Sequence, residues 1–202
     1  RKGSWLDETI MRGNDIIFAF PLLVMAILIT AAAVGGCSTA WIPPGDSEVV
    51  SLGEHMLRQT GPEVDAVLGY RFASASIGDE WLILEVALTS PNGQSASITR
   101  DNVFILTPSG QKIPMATQRE FNEAYGGLRA TLQKAAVARD PMDYFNASRR
   151  DCRLGFFTTP NGGVSFDELT LNDRRGCQGQ LYFRVPGGIH PGRYVLGIDL
   201  EE

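Results

Sequence analysis

Residues 81–93, WLILEVALTSPNG, decide how the rest of this chain is read. Trp81 to Leu88 is a short run of large, β-branched and aromatic side chains, and Pro91-Asn92-Gly93 closes it with turn residues. A run of that length between turn signals is a strand covered on both sides, so it belongs at the centre of a sheet. Working forward, Val103–Leu106 is a second apolar run, and Pro108-Ser109-Gly110 turns it into Gln111–Met115. Strands then return at Leu154–Thr158, at Val164–Leu171 after Pro160-Asn161-Gly162-Gly163, at Gln180–Val185 and at Tyr194–Leu200. Within Gln180–Val185, Leu181, Phe183 and Val185 alternate with Tyr182 and Arg184, the pattern of a strand with one buried face. Working backward, Val64–Ser74 reads as the first strand and Glu48–Gln59 as a short amphipathic helix through Val49, Leu52, Met56 and Leu57.

One segment breaks the β pattern. Thr117 and Glu120 have the spacing of a capping box. Phe121, Ala124, Tyr125, Leu128, Leu132, Ala135 and Ala136 then recur at helical intervals up to Asp140-Pro141. This predicts a helical insertion at about 117–139, kinked or split at Gly126-Gly127, with an apolar face laid on the sheets or on a partner. Seven or eight short strands with regular turns predict a mainly β fold, an antiparallel immunoglobulin-like β-sandwich carrying that insertion.

The order EWLILEVALTS, DNVFILTPSGQKI and the late GQLYFRVPGG resembles bacterial immunoglobulin-like extracytoplasmic domains of the DUF4352 kind, over residues 64–200. The insertion and the Cys152/Cys177 pair stand outside that pattern. The resemblance implies binding or scaffolding and no defined chemistry.

Ahead of the β region, Ile16–Val34 is nineteen positions without a charge. A helix of that length spans about 30 Å, the thickness of a bilayer's hydrocarbon. Arg1, Lys2 and Arg12 precede it, and no Lys or Arg follows until Arg58, which places the N-terminus in the cytoplasm and the remainder outside. The organisation expected is a cytoplasmic segment (1–15), one transmembrane helix or lipoprotein signal segment (16–37), a linker (38–62) and an extracytoplasmic domain (63–202). The alternatives differ at Val34-Gly35-Gly36-Cys37, which resembles a lipobox with Cys37 as the lipidated residue. The apolar run is longer than the 7–15 residues of an ordinary signal core, which favours a retained anchor. Ala19, Ala26, Thr30, Ala33 and Cys37 then form a stripe of small residues suited to helix packing in lipid.

With Cys37 assigned to the membrane exit, Cys152 and Cys177 remain as a pair that an oxidising compartment would join, bracketing a hairpin. Their flanks gather Arg149, Arg150, Arg153, Arg174 and Arg175 with Asp151 and Asp173. Arginine forks suit carboxylates and anionic headgroups; the plainer reading is a solvated, self-neutralising loop end. The net charge of −5 falls wholly after Cys37, because residues 1–36 hold three basic and three acidic side chains. That balance argues against nucleic acid.

Catalytic signatures are missing from the sequence. His55 and His190 are the only histidines, and there is no G-x-S-x-G, phosphate loop, H-E-x-x-H or C-x-x-C. Asp79-Glu80 and Asp167-Glu168 flank strands or turns. The expectation is therefore a non-enzyme without cofactor or metal: an accessory or scaffolding subunit of a bacterial membrane complex, of the respiratory or photosynthetic kind. Its partners would be membrane lipids and other membrane-protein subunits. The alternative is a free envelope lipoprotein acting as a binding module.

Overall fold

The computed structural model describes residues 25–31 and 48–200 apart from 92, 94, 143, 144 and 146–148, with the backbone alone described at 25–31 and 48. In chain order the elements are β1 (Met25–Ala31), β2 (Glu48–Ser51), β3 (Met56–Thr60), β4 (Asp65–Gly69), α1 (Arg71–Ser74), β5 (Trp81–Thr89), β6 (Ser95–Thr99), β7 (Val103–Leu106), β8 (Lys112–Pro114), α2 (Gln118–Val137), β9 (Arg150–Arg153), β10 (Glu168–Asn172), β11 (Arg175–Arg184) and β12 (Tyr194–Leu200). Strands dominate and most pairs are antiparallel. A six-stranded sheet runs β2-β3-β4-β5-β11-β9, a four-stranded one β1-β12-β7-β8, and β6 pairs with β10.

The strand at residues 81–89 is as central as its composition predicts, flanked by β4 and β11. Leu82, Leu84, Val86 and Leu88 point to one side and join a core that also takes Leu181 and Phe183 of β11, Ile98 of β6, Ile105 of β7, Leu171 of β10 and Leu196 and Ile198 of β12. All three sheets thus close over one apolar interior. The other side of the six-stranded sheet is buried too. α2 lies over Trp81, Ile83 and Tyr182 through Phe121, Leu128 and Ala135. Tyr182 therefore does not face water, as strict alternation in β11 suggested; the insertion supplies a second apolar layer.

The capping box forms as read. Thr117 accepts from the Glu120 backbone N–H, and Glu120 accepts from the Thr117 N–H at 2.8 Å. That charged bond holds the Glu120 carboxyl below its ordinary value. Gly126-Gly127 neither splits nor ends α2, which runs unbroken from Gln118 to Val137. Apolar anchorage at Phe121 on one side and Leu128 and Ala135 on the other offsets the low helix propensity of the two glycines.

Other expectations are corrected. Glu48–Gln59 is no helix: β2 and β3 form a hairpin within it, so much of the expected linker belongs to the six-stranded sheet. Gly53, at φ 152°, turns the hairpin, and the edge of β4 gives β3 five paired positions that a helix could not use. Val64–Ser74 is strand only to Gly69 and continues as α1. The strand expected at 154–158 lies earlier, at β9, and β10 is shorter than 164–171. The cysteines do not bracket a hairpin, because β9 pairs with β11 in parallel and β10 pairs with β6, a strand that the sequence reading passed over.

Met25–Ala31, inside the run expected to be helical, is a strand parallel to β12 over seven positions. Its apolar and β-branched composition suits a strand, and the otherwise open side of β12 offers a full row of backbone partners. Among the described residues no helix is long and apolar enough to cross a membrane. Ala26 and Thr30 of the small-residue stripe are strand positions opposite Val195 and Asp199. Ala19, Ala33 and Cys37 lie outside the described residues.

One buried cation pins the segment between β9 and β10. Arg100 is 4% exposed and donates to the carbonyls of Ala116 (3.0 Å), Phe156 and Phe166 and to Asp167 (2.9 Å), with the Phe157 ring 4.7 Å from its guanidinium carbon. Arg100→Leu leaves those carbonyls buried and unpaired, and urea denaturation should show a loss of about 3 kcal/mol. The exposed Arg184–Glu80 pair serves as control: Arg184→Leu should stay within about 0.5 kcal/mol of the parent. Gln59 is the opposite case. It is fully buried beside Ala66, and neither amide atom has a partner among the described residues. Gln59→Met should raise stability by about 1 kcal/mol in the same titration, because it removes an unpaid desolvation at similar volume.

Candidate functional site

The disulfide between Cys152 and Cys177 forms, joining residues 25 apart in sequence. They are direct partners across the parallel pair β9–β11, with Cα atoms 4.2 Å apart. Cys177 is fully buried in the core, whereas Cys152 packs at its margin. A loop of that size is worth about 3 kcal/mol in the chain-entropy account. The covalent link also pins register, and register decides where the arginines go. Arg150 stands directly opposite Arg175, and Arg153 opposite Gln178.

The arginines do gather, although not as a self-neutralising loop. Arg150, Arg153, Arg174 and Arg175 are exposed. Among the described residues none of them has a carboxylate at ion-pair distance. Arg149 instead donates to the backbone carbonyls of Asp173 (3.3 Å) and Phe145 (3.4 Å). Two like charges held side by side on neighbouring strands are mildly destabilising, a cost that a bound anion would relieve.

Alternation along β9 splits the set. Cys152 turns inward, so Asp151 and Arg153 belong to the outer face. There they border a groove of about 740 Å³ between β9 and the end of α2. Gly69 and Gly179 make room for its two rims. A Cβ at Gly69 would fall 2.6 Å from the Asp140 carboxylate and 2.8 Å from the Met142 methyl. A Cβ at Gly179 would fall 2.8 Å from that of Leu154.

The floor is a chain of polar side chains the sequence reading missed. Tyr182 donates to Gln180 at 2.7 Å, and Gln180 donates to Glu85 at 3.4 Å. Glu85 also accepts the Asp140 N–H at 2.9 Å and sits 3.6 Å from Arg139. Asp140, itself buried, accepts from the backbone N–H and Nε of Arg71, both at 3.2 Å. Burial pushes the Glu85 carboxyl up, against the lowering pull of the Asp140 N–H, Gln180 and Arg139. Burial likewise pushes Tyr182 to about 12, so it remains a donor at any physiological pH. One signal pointed to this floor: Glu85 is the only charged residue in the nine of β5.

Of the four acids weighed from sequence, three have side-chain partners elsewhere. Glu80 pairs with Arg184, Asp167 with Arg100, and Glu168 takes the Ser97 hydroxyl. His55 is on the β2–β3 hairpin beside Tyr70, and His190 gives its backbone N–H to the Tyr194 hydroxyl. No group of three or more metal-ligating side chains occurs among the described residues.

The raised Glu85 carboxyl has a measurable consequence. A group whose value is higher folded than unfolded adds stability below the unfolded value and loses it as pH rises through the folded one. From neutral pH down towards the ordinary value of 4.5, the parent should therefore gain stability relative to Glu85→Gln. Paired thermal melts at several pH values measure that difference; a gap that stays constant, or closes in the other direction, contradicts the assignment.

Compared with protein-family models, curated proteins and solved structures, the chain has no match in any of the three.

Proposed function

We propose that this chain is a non-catalytic accessory or scaffolding subunit of a bacterial membrane assembly, an immunoglobulin-like sandwich that acts outside the cytoplasm by contact. The observation that carries the reading is the arginine end. Register places Arg150 beside Arg175, with Arg174 adjacent, and leaves these side chains exposed without a carboxylate among the described residues. Like charges held together on a domain of acidic balance are a surface built to meet an anionic partner. The sequence supports the non-catalytic part, since it holds no G-x-S-x-G, phosphate loop, H-E-x-x-H or C-x-x-C.

In this reading the apolar run Ile16–Val34 enters the hydrocarbon as a helix when a bilayer is present. Nineteen uncharged positions gain more from lipid than seven of them gain on the rim of a sheet. Residues Ala26 and Ala33 then return to the packing stripe, and partners in the membrane are other subunits with small-residue faces.

Gentle detergent extraction followed by native mass measurement tests the proposal. The parent should travel with partner subunits, and Arg150→Ser with Arg174→Ser should release the extracytoplasmic contact, more so at low salt, where exposed charges act at longer range. Ala26→Leu with Ala33→Leu should loosen the membrane contact while leaving the folded domain intact. The same measurement reads the N-terminus. A lone monomer beginning at an acylated Cys37 would replace the subunit by the free lipoprotein.

A further inference from the structure

We propose that the groove between β9 and the end of α2 is the docking site for an acidic, extended segment of a partner protein, with a partner carboxylate seated between Arg139 and Arg153. The proposal rests on the contact-subunit reading and names the partner's chemistry at one place.

The argument begins with what the groove has left to offer. Both oxygens of Glu85 and both of Asp140 are committed to internal donors. Each also has an arginine beside it, Arg139 at 3.6 Å from Glu85 and Arg71 at 3.2 Å from Asp140, so an incoming cation meets charge that is already balanced. Gln180 is spent between Tyr182 and Glu85. The remaining donors are guanidinium groups on opposite rims. Arg139 is two-thirds exposed and approaches Glu85 only at 3.6 Å, longer than a hydrogen bond. Arg153 is exposed and has no carboxylate partner among the described residues. With Glu85 balanced by Arg139 and Asp140 by Arg71, Asp151 is the one rim acid without an ion pair among the described residues, against Arg153 and the arginine end just beyond. The site therefore selects a carboxylate, which an arginine fork can grip with two parallel bonds.

Shape selects a chain over a surface. An opening of about 740 Å³, walled by Met142, Leu154 and Phe157, admits a few residues of peptide; a flat bilayer cannot enter it. β9 adds the backbone component. Among the described residues it is the last strand of its sheet, paired with β11 on one side only, so its outer N–H and C=O groups can accept an added strand. Arginines on such an edge repel basic strands and attract acidic ones, which makes the added strand's charge the selective term.

The test is fluorescence anisotropy of a dye-labelled, end-blocked hexaglutamate peptide with the full chain in mild nonionic detergent at low ionic strength. Saturable binding, weakened by added salt, is expected, and hexalysine should not bind. Arg153→Ser should weaken hexaglutamate about tenfold, and Arg153→Glu should abolish binding, each with the circular dichroism of the parent. Arg119→Ser, a similar loss of charge at the far end of α2, should leave it unchanged. No saturable binding, or equal effects at Arg153 and Arg119, overturns the proposal. Capture by phosphatidylglycerol vesicles without peptide binding also overturns it and hands the arginines to lipid. If the native assembly persists while hexaglutamate is ignored, the groove proposal falls alone; if the peptide binds and no assembly exists, the subunit reading falls instead.

Discussion

The pairing of β11 with β5 is the constraint on which the other features hang. From Cys177 opposite Leu88 to Arg184 opposite Trp81, eight residue pairs are locked in antiparallel register. That register sends Leu181 and Phe183 inward with Leu82 and Leu84. It sends Tyr182 and Ile83 outward beneath α2, and Gln180 beside Glu85 on the groove floor. Because the side-chain period of a strand is two, a slip of one residue would exchange these sets, putting Glu85 in the core and Leu84 under the helix. Core, helix seat and polar floor are thus three readings of one alignment.

The outer face shows how an insertion becomes part of a fold. Phe121 meets Tyr182 with ring centroids 4.8 Å apart and Phe157 at 5.4 Å, while Phe157 meets Tyr182 edge-on at 4.7 Å. Such contacts contribute about 1 kcal/mol each beyond their buried area. They bring together one residue of α2, one of β11 and one of the loop that Arg100 holds down. Removing α2 would expose Trp81, Ile83 and Tyr182 together, so the helix is a layer of the domain as much as an ornament on it.

Local signals made part of this legible in the sequence. The apolar run of β5, the turns at Gly93 and Gly110, the capping box at Thr117 and the strand at β12 each depend on neighbours in sequence, and each is found where it was read. The disulfide was legible from the pairing left once Cys37 is set aside. The misses depend on distant partners. Residues 48–59 carry apolar spacing that suits a helix, and only the waiting edge of β4 makes them a hairpin. β6 is weakly patterned, SASIT, and exists because β10 comes back to it. Glu85 was visible as a charge in an apolar strand, but its partners Asp140, Arg139 and Gln180 lie 54 or more positions further along the chain. The arginine cluster was legible as composition, whereas its division between an end and a groove follows from β9 being parallel to β11.

The parallel strand on β12 also bears on how this molecule can be handled. β12 is YVLGIDL, apolar for most of its length, and Met25–Ala31 covers its outer edge completely. A fragment that starts after residue 47, or a chain whose N-terminal run has been drawn into lipid, carries that edge bare. Seven consecutive unpaired backbone positions are a template for edge-to-edge association with another copy. The N-terminal run therefore doubles as an internal mask, and the solubility of the isolated domain should depend on whether the mask is kept.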